Sequence, residues 1–100
     1  MTGMRSKLVA GNWKMNLDLA SGLALVSSLR ALQPDPAIDV AVMPPSVYLF
    51  GIVQAAAGSA IGVGAQNCWH ETKGAFTGEL SPEMIRETGS RYVILGHSER

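Results

Sequence analysis

Two polar clusters in this chain each follow a short apolar run. Residues 96–100 read Gly-His-Ser-Glu-Arg after the run 92–95, and residues 11–16 read Gly-Asn-Trp-Lys-Met-Asn after the run 8–10. Continuous apolar runs are typical of buried parallel strands, and α/β folds carry their chemistry at the carboxyl ends of such strands. One cluster offers the amide of Asn12 and the ammonium of Lys14, and the other offers the imidazole of His97 beside the carboxylate of Glu99. Together these groups could hold a small anionic substrate and polarise one of its bonds.

The elements that must position these clusters alternate between strand and helix. Apolar runs predict strands at about 7–12, 38–43, 60–66 and 91–95. An apolar stripe that recurs every three or four residues from Leu19 to Leu29 predicts the first helix, capped at Asp18 or Asn16. We therefore expect the first strand and the first helix to flank the polar cluster at residues 11–16.

Two further helices complete the pattern. The second begins near Pro45 and ends at Gly58, and the third has Ser81 as its cap, Pro82 at its first position and Gly89 at its end. The order of elements is then β-α-β-α-β-loop-α-β. Strands that alternate with helices predict a parallel sheet with right-handed crossovers.

One connection, residues 67–80, is too long for an ordinary turn. It has no clear periodicity, yet it contains Trp69, His70, Phe76 and Thr77. Long connections inside a compact domain are usually functional or form contact surfaces. We expect this loop to be covered, and His70 to lie at the surface or an interface without a ligand role.

Composition excludes several classes of function. The chain has 100 residues, of which 47% are hydrophobic and 16% charged, with a formal net charge of zero. That is enough for one core, and a balanced charge disfavours nucleic acid or an anionic membrane as the main partner. The single cysteine, Cys68, cannot form an intrachain disulfide, and no apolar stretch is long enough for a signal peptide core or a membrane span. We expect a cytoplasmic protein.

Four motifs in register resemble the triosephosphate isomerase family. They are NWKMN at 12–16, GAQN at 64–67, GAFTGE at 74–79 and ILGHSER at 94–100. The family fold is a (β/α)8 TIM barrel of about 250 residues. The resemblance implies that residues 1–100 are the N-terminal portion of a single barrel domain, with strands 1–4 and helices 1–3, and that the chain is part of something longer.

The resemblance also implies a reaction and the residues that perform it. The family interconverts dihydroxyacetone phosphate and D-glyceraldehyde 3-phosphate through an enediolate, in glycolysis and gluconeogenesis, without a metal or organic cofactor. By resemblance His97 and Lys14 are catalytic, and Asn12 and Lys14 bind the substrate. Ser98 resembles the serine that holds the general base, and Glu99 the glutamate that pairs with the lysine.

The general base itself is implied to lie beyond residue 100. It is a glutamate in the family, and none of Glu71, Glu79, Glu83 and Glu87 is predicted at the carboxyl end of a strand. We therefore expect the 100-residue chain to be inactive alone.

The resemblance implies a homodimer through the loop from Asn67 to Leu80. Thr77 matches a residue that contacts the neighbouring subunit, and Phe76 and Cys68 are expected at the same contact. The alternative is a loop that folds over its own chain.

Two other functions remain open at this stage. A nucleotide-binding α/β domain is suggested by Gly62 and Gly64 at a strand, although the dinucleotide pattern requires glycine where Asn67 stands. A non-catalytic split-barrel interaction module is the second alternative, because the implied base is outside the sequence.

Overall fold

The computed structural model describes residues 7–32 and 35–95. The elements follow the predicted order: β1 (Lys7–Asn12), α1 (Leu19–Leu32), β2 (Ile38–Met43), a 3-10 turn (Ser46–Tyr48), α2 (Leu49–Ala56), β3 (Ile61–Ala65), α3 (Pro82–Glu87) and β4 (Tyr92–Val93). The second helix therefore starts as a 3-10 turn after Pro45 and ends two residues before Gly58, which has a positive φ of 78°.

The four strands form one sheet in the order β1-β2-β3-β4, and every pairing is parallel. The register pairs Asn12 with Met43, Val42 with Val63, and Gly64 with Tyr92. Because parallel strands share a direction, the carboxyl ends of all four lie along the same edge of the sheet. This confirms the parallel sheet predicted from the alternation of strands and helices, and it puts Asn12, at the end of β1, on that edge.

The core lies between the sheet and the helices α1 and α2. Ile52 and Leu49 of α2 and Val26 of α1 are almost fully buried in it. Arg30 of α1 reaches across to α2, where its Nη1 donates to the backbone oxygens of Ala55 (3.1 Å) and Ala57 (2.8 Å). The guanidinium thus satisfies carbonyl groups that the end of α2 would otherwise leave unpaired.

The expectation that β1 is buried is wrong. All six residues of β1 are exposed, including Leu8 at 51% and Val9 at 57%, whereas every residue of β3 is buried. Position in the sheet explains the difference. Among the described strands β1 pairs only with β2, whereas β3 lies between β2 and β4 and packs against α2.

The fourth strand is shorter than predicted. It spans Tyr92–Val93, whereas the apolar run predicted a strand over residues 91–95. The parallel hydrogen bonding nevertheless extends further, since the amide of Arg91 donates to the oxygen of Val63 (2.8 Å) and that of Ile94 to the oxygen of Ala65 (2.9 Å).

Local capping signals set two helix starts. Asp18 rather than Asn16 caps α1, because its carboxylate accepts from the amide of Ser21 at 2.8 Å and from the hydroxyl at 2.7 Å, while its own amide donates to that hydroxyl at 3.1 Å. Ser81 caps α3 as predicted by accepting from the amide of Met84 at 3.2 Å, with Pro82 in the first position.

No helix within residues 7–32 and 35–95 is both long and apolar enough to cross a bilayer.

We predict that Gly64→Ala destabilises the fold and that Gly11→Ala does not. A Cβ at Gly64 would lie 2.5 Å from Sδ of Met43 and 2.7 Å from the backbone oxygen of Tyr92, whereas at Gly11 it would meet nothing within 4 Å. Overpacking of this kind costs about 1–3 kcal/mol. Urea unfolding of both variants measures the difference, and equal midpoints for the two would contradict the close approach of β4 to β3.

The cap of α1 predicts a loss of stability in acid. Hydrogen bonds from the backbone amide and then the hydroxyl of Ser21 lower the pKa of Asp18 below its ordinary value. A lowered folded-state pKa means that the stabilisation is present above the unfolded pKa and disappears as the pH falls through the folded pKa. We expect Asp18→Ala to unfold at lower denaturant than the wild type at pH about 7, with a smaller gap at pH about 3. Asp39→Ala, which removes an exposed carboxylate, is the control. A gap for Asp18→Ala that stays constant with pH would refute the assignment.

Candidate active site

The segment that follows β1 is held by hydrogen bonds from the backbone amides of Trp13 and Lys14. The amide of Lys14 donates to Oδ1 of Asn12 at 2.9 Å, and the amide of Trp13 donates to the carbonyl oxygen of Met43 at 3.1 Å. The Trp13 ring is buried against Gly22 of α1, where an added Cβ would lie only 2.8 Å from the ring. The tryptophan therefore anchors the segment in the core while its neighbours stay at the surface.

Lys14 adopts a left-handed backbone conformation with a φ of 54°. This conformation costs a residue with a side chain roughly 1–2 kcal/mol. Gln66, which directly follows β3, offsets part of that cost because its Nε2 donates to the carbonyl oxygens of Lys14 (2.8 Å) and Met43 (2.9 Å). The ends of three strands thus meet around the lysine.

A cavity of about 530 Å³ opens at this edge of the sheet. The polar residues that line it include Asn12, Lys14, Gln66, Asn67, Thr77 and Glu79. Its volume is within the range of small-molecule sites, roughly 300–1,000 Å³.

The long loop supplies one wall of this cavity. The amide of Trp69 donates to the carbonyl oxygen of Leu80 at 2.7 Å, which closes the loop at its base. Near its tip Gly78 has a φ of 84°, and the amide of Glu79 donates to the oxygen of Phe76 at 3.1 Å, as in a type II turn. This turn brings Thr77 and Glu79 to the cavity on their own chain.

Charges of opposite sign line the cavity. Lys14 contributes an ammonium and Glu79 a half-buried carboxylate, which accepts a long hydrogen bond of 3.4 Å from Nδ2 of Asn67. An ammonium beside amide donors suits a phosphate or carboxylate group. A carboxylate within the same cavity can accept a proton or a hydroxyl donor from a bound molecule.

The structure therefore brings together some of the predicted site residues. Asn12 and Lys14 line one cavity, as expected from their position after β1. His97, Ser98 and Glu99 lie outside the described residues. Their predicted roles remain predictions.

Sequence reasoning missed Gln66 as a residue of this edge and did not predict that Glu79 lines the cavity. Gln66 follows β3 directly, so the rule that located Lys14 after β1 could have found it. Glu79 gave no such signal, because it is not at a strand end and reaches the cavity only through the turn at Gly78. Glu79 thus lines the cavity although it lies outside the strands, as predicted.

The other loop residues pack within their own chain. The ring centroid of Phe76 lies 5.2 Å from that of Trp69. The exposed ring of His70 also contacts Trp69, with 4.7 Å between the two ring centroids. Cys68 is half-buried against the core cluster. Part of the apolar character of the loop is thus used internally.

The described residues at this edge of the sheet do not form a metal-binding site. Within residues 7–32 and 35–95, no group of three or more histidine, cysteine, aspartate or glutamate side chains could hold a metal ion. Gly62 and Gly64 lie inside β3, and the next described helix after them begins at Pro82, so the dinucleotide-binding pattern is not met.

A parallel α/β sheet with a lysine, three side-chain amides and a cavity at its carboxyl edge is typical of the class of α/β proteins that bind small molecules at that edge. Comparison with known proteins narrows the class. The family model for triosephosphate isomerase matches residues 7–100. The chain belongs to the triosephosphate isomerase family, and its four-stranded parallel sheet is the start of a TIM barrel.

Individual relatives agree with the family assignment. The chain is 53% identical over 97 residues to a triosephosphate isomerase of Clostridium novyi (strain NT), and 50% identical over 99 residues to one of Phocaeicola vulgatus. It is 47% identical over 97 residues to a triosephosphate isomerase of Rhodopirellula baltica. These alignments cover 96–97% of this chain but only 38–39% of each relative. The chain thus spans about two fifths of the length of the curated relatives it matches.

Proposed function

We propose that this chain supplies the electrophilic and phosphate-binding part of a triosephosphate isomerase active site. The reaction is the interconversion of dihydroxyacetone phosphate and D-glyceraldehyde 3-phosphate through an enediolate, without a metal or organic cofactor. The observation that carries the proposal is the position of Asn12 and Lys14 on one cavity at the carboxyl edge of the sheet, within a segment that matches the family.

The roles follow from what the reaction needs. The substrate is a phosphate dianion, and the intermediate adds negative charge, so a fixed cation stabilises both. Lys14 supplies that cation. Oδ1 of Asn12 accepts a hydrogen bond from the backbone amide of Lys14, and this bond orients the lysine. The side chain of Asn12 also lines the cavity, where it can contact a substrate oxygen.

His97 provides the second group. By resemblance it donates to the carbonyl oxygen as a neutral imidazole, where a positioned donor lowers the barrier to enolisation. Ser98 holds the general base at rest, and Glu99 pairs with Lys14. These roles rest on the family motif at 94–100.

The general base is proposed to lie outside the 100 residues. Enolisation needs a carboxylate that removes the proton, and the family uses a glutamate that follows a later strand. Glu79 is the described carboxylate that lines the cavity with Lys14. It is therefore the residue to replace if the chain alone proves active.

The assembly and location are part of the same proposal. Residues 1–100 form the N-terminal portion of one barrel domain, in a cytoplasmic homodimer whose subunits meet through the loop from Asn67 to Leu80. The exposed phenyl ring of Phe76 supports this surface.

We predict that the chain alone shows no measurable isomerase turnover. Turnover should appear when it is mixed with the part of the Clostridium novyi relative that lies beyond the matched region, because that part would supply the base. A coupled assay in both directions measures this. Substantial turnover by the chain alone would contradict the missing base, and its loss in Glu79→Gln would identify Glu79 as the base. Failure of the mixture to turn over despite stable association would favour the interaction-module alternative.

We predict that Lys14→Met lowers turnover of that mixture by at least about 10²-fold, the usual loss for one charged donor at a reacting centre. Lys7→Met is the matched control, because it removes the same charge from the opposite end of β1. Both variants are compared by kcat/KM after equal association is verified. Similar values for the two would remove Lys14 from the site.

We predict that Thr77→Arg dissociates the homodimer, since a guanidinium at the loop tip would be desolvated at the contact. Ser28→Arg, which adds the same charge on an exposed position of α1, should leave the dimer intact. Sedimentation velocity over a range of concentrations reads the result. An unchanged sedimentation coefficient for Thr77→Arg would refute this interface.

A further inference from the structure

The backbone of Lys14 is fixed at both of its polar groups. Its amide donates to Oδ1 of Asn12 at 2.9 Å, and its carbonyl oxygen accepts from Nε2 of Gln66 at 2.8 Å. Between these two bonds the residue has a φ of 54°, in the left-handed region that side chains disfavour. Such a conformation persists where the surrounding structure imposes it.

Gln66 has the chemistry that this place requires. A primary amide carries two N–H donors on one nitrogen, and here each faces a carbonyl oxygen, one of Lys14 and one of Met43 at 2.9 Å. A glutamate of the same shape would turn a carboxylate oxygen towards those two acceptors. Glutamine is therefore the residue of this length that can bridge them.

The bridge ties the lysine to the rigid part of the fold. Met43 ends β2, and its oxygen also accepts from the amide of Trp13, whose ring is buried against α1. Gln66 itself follows the fully buried strand β3. Movement of the Lys14 backbone would thus break contacts to two interior strands.

We propose that Gln66 is a positioning residue for Lys14. Its side-chain amide holds the lysine in the left-handed conformation, from which the ammonium is presented to the cavity. The inference rests on the proposed phosphate-binding role of Lys14 for its functional meaning, but the conformational part can be tested without any ligand.

The test uses the 100-residue chain with isotopic labels. Gln66→Met removes both donors at nearly constant length, and Gln66→Glu keeps the shape and replaces the donors by acceptors. The matched controls are Gln54→Met and Gln54→Glu, on an exposed position of α2. The first readout is the one-bond Cα–Hα coupling and the intraresidue HN–Hα NOE of Lys14, which distinguish positive from negative φ. The second is the affinity of the protein for inorganic phosphate, measured from the shifts of the Lys14 signals during a phosphate titration.

In the wild type and both Gln54 variants we expect Lys14 to report a positive φ. In the Gln66 variants we expect it to shift to negative φ, with phosphate affinity lowered about tenfold, the equivalent of one net hydrogen bond. Lys14 that stays left-handed in both Gln66 variants would overturn the proposal, even if their melting temperatures fall, because Gln66 would then be merely structural.

Two further outcomes are informative. If the Gln66 variants do not fold, side-chain amide exchange in the wild type decides: slow exchange at Gln66 relative to Gln54 supports the bridge, and equal rates overturn it. If phosphate leaves the wild-type Lys14 signals unchanged while Gln66 variants still alter its φ, the positioning role stands and the proposed phosphate-binding role of Lys14 fails.

Discussion

One acceptor atom, the carbonyl oxygen of Met43, connects the ends of three strands in this protein. It receives the amide of Trp13, which follows β1, and the side-chain amide of Gln66, which follows β3. Met43 itself ends β2. Parallel pairing makes this convergence possible, because it brings the carboxyl ends of neighbouring strands to one edge. The lysine, its amide neighbours and the cavity all depend on that edge.

The same segment combines rigid and strained parts. Trp13 is buried in the core, while Lys14, the next residue, has a positive φ and lines the cavity. Strained backbone of this kind is stable only where neighbouring contacts determine it, and it is common at functional sites. The buried ring and the three hydrogen bonds to Asn12, Met43 and Gln66 provide those contacts. The fold thus places a cation by constraining its backbone rather than by burying its side chain.

Much of the fold was predictable, since its signals are local. Ser81 and Pro82 predicted the start of α3, and apolar runs predicted β1 and β2 at the residues where they occur. The start of the second helix was less regular, as a 3-10 turn precedes α2. The burial of β1 was predicted wrongly because an apolar run reports what a strand can bury, not what covers it. Gln66 was overlooked, although its place after β3 was visible.

The family, the order of the elements and the positions of Asn12 and Lys14 after the first strand follow from the amino-acid sequence alone. These depend on residue types at fixed spacings, which a linear chain displays directly. The hydrogen bond from Gln66 to the backbone of Lys14 and the position of Glu79 on the same cavity are visible only in the folded chain. Those contacts join residues that are 52 positions apart or depend on how a long loop closes on itself. Contacts between residues far apart in the chain depend on strand register and turn geometry, and the spacing of residue types along the sequence specifies neither.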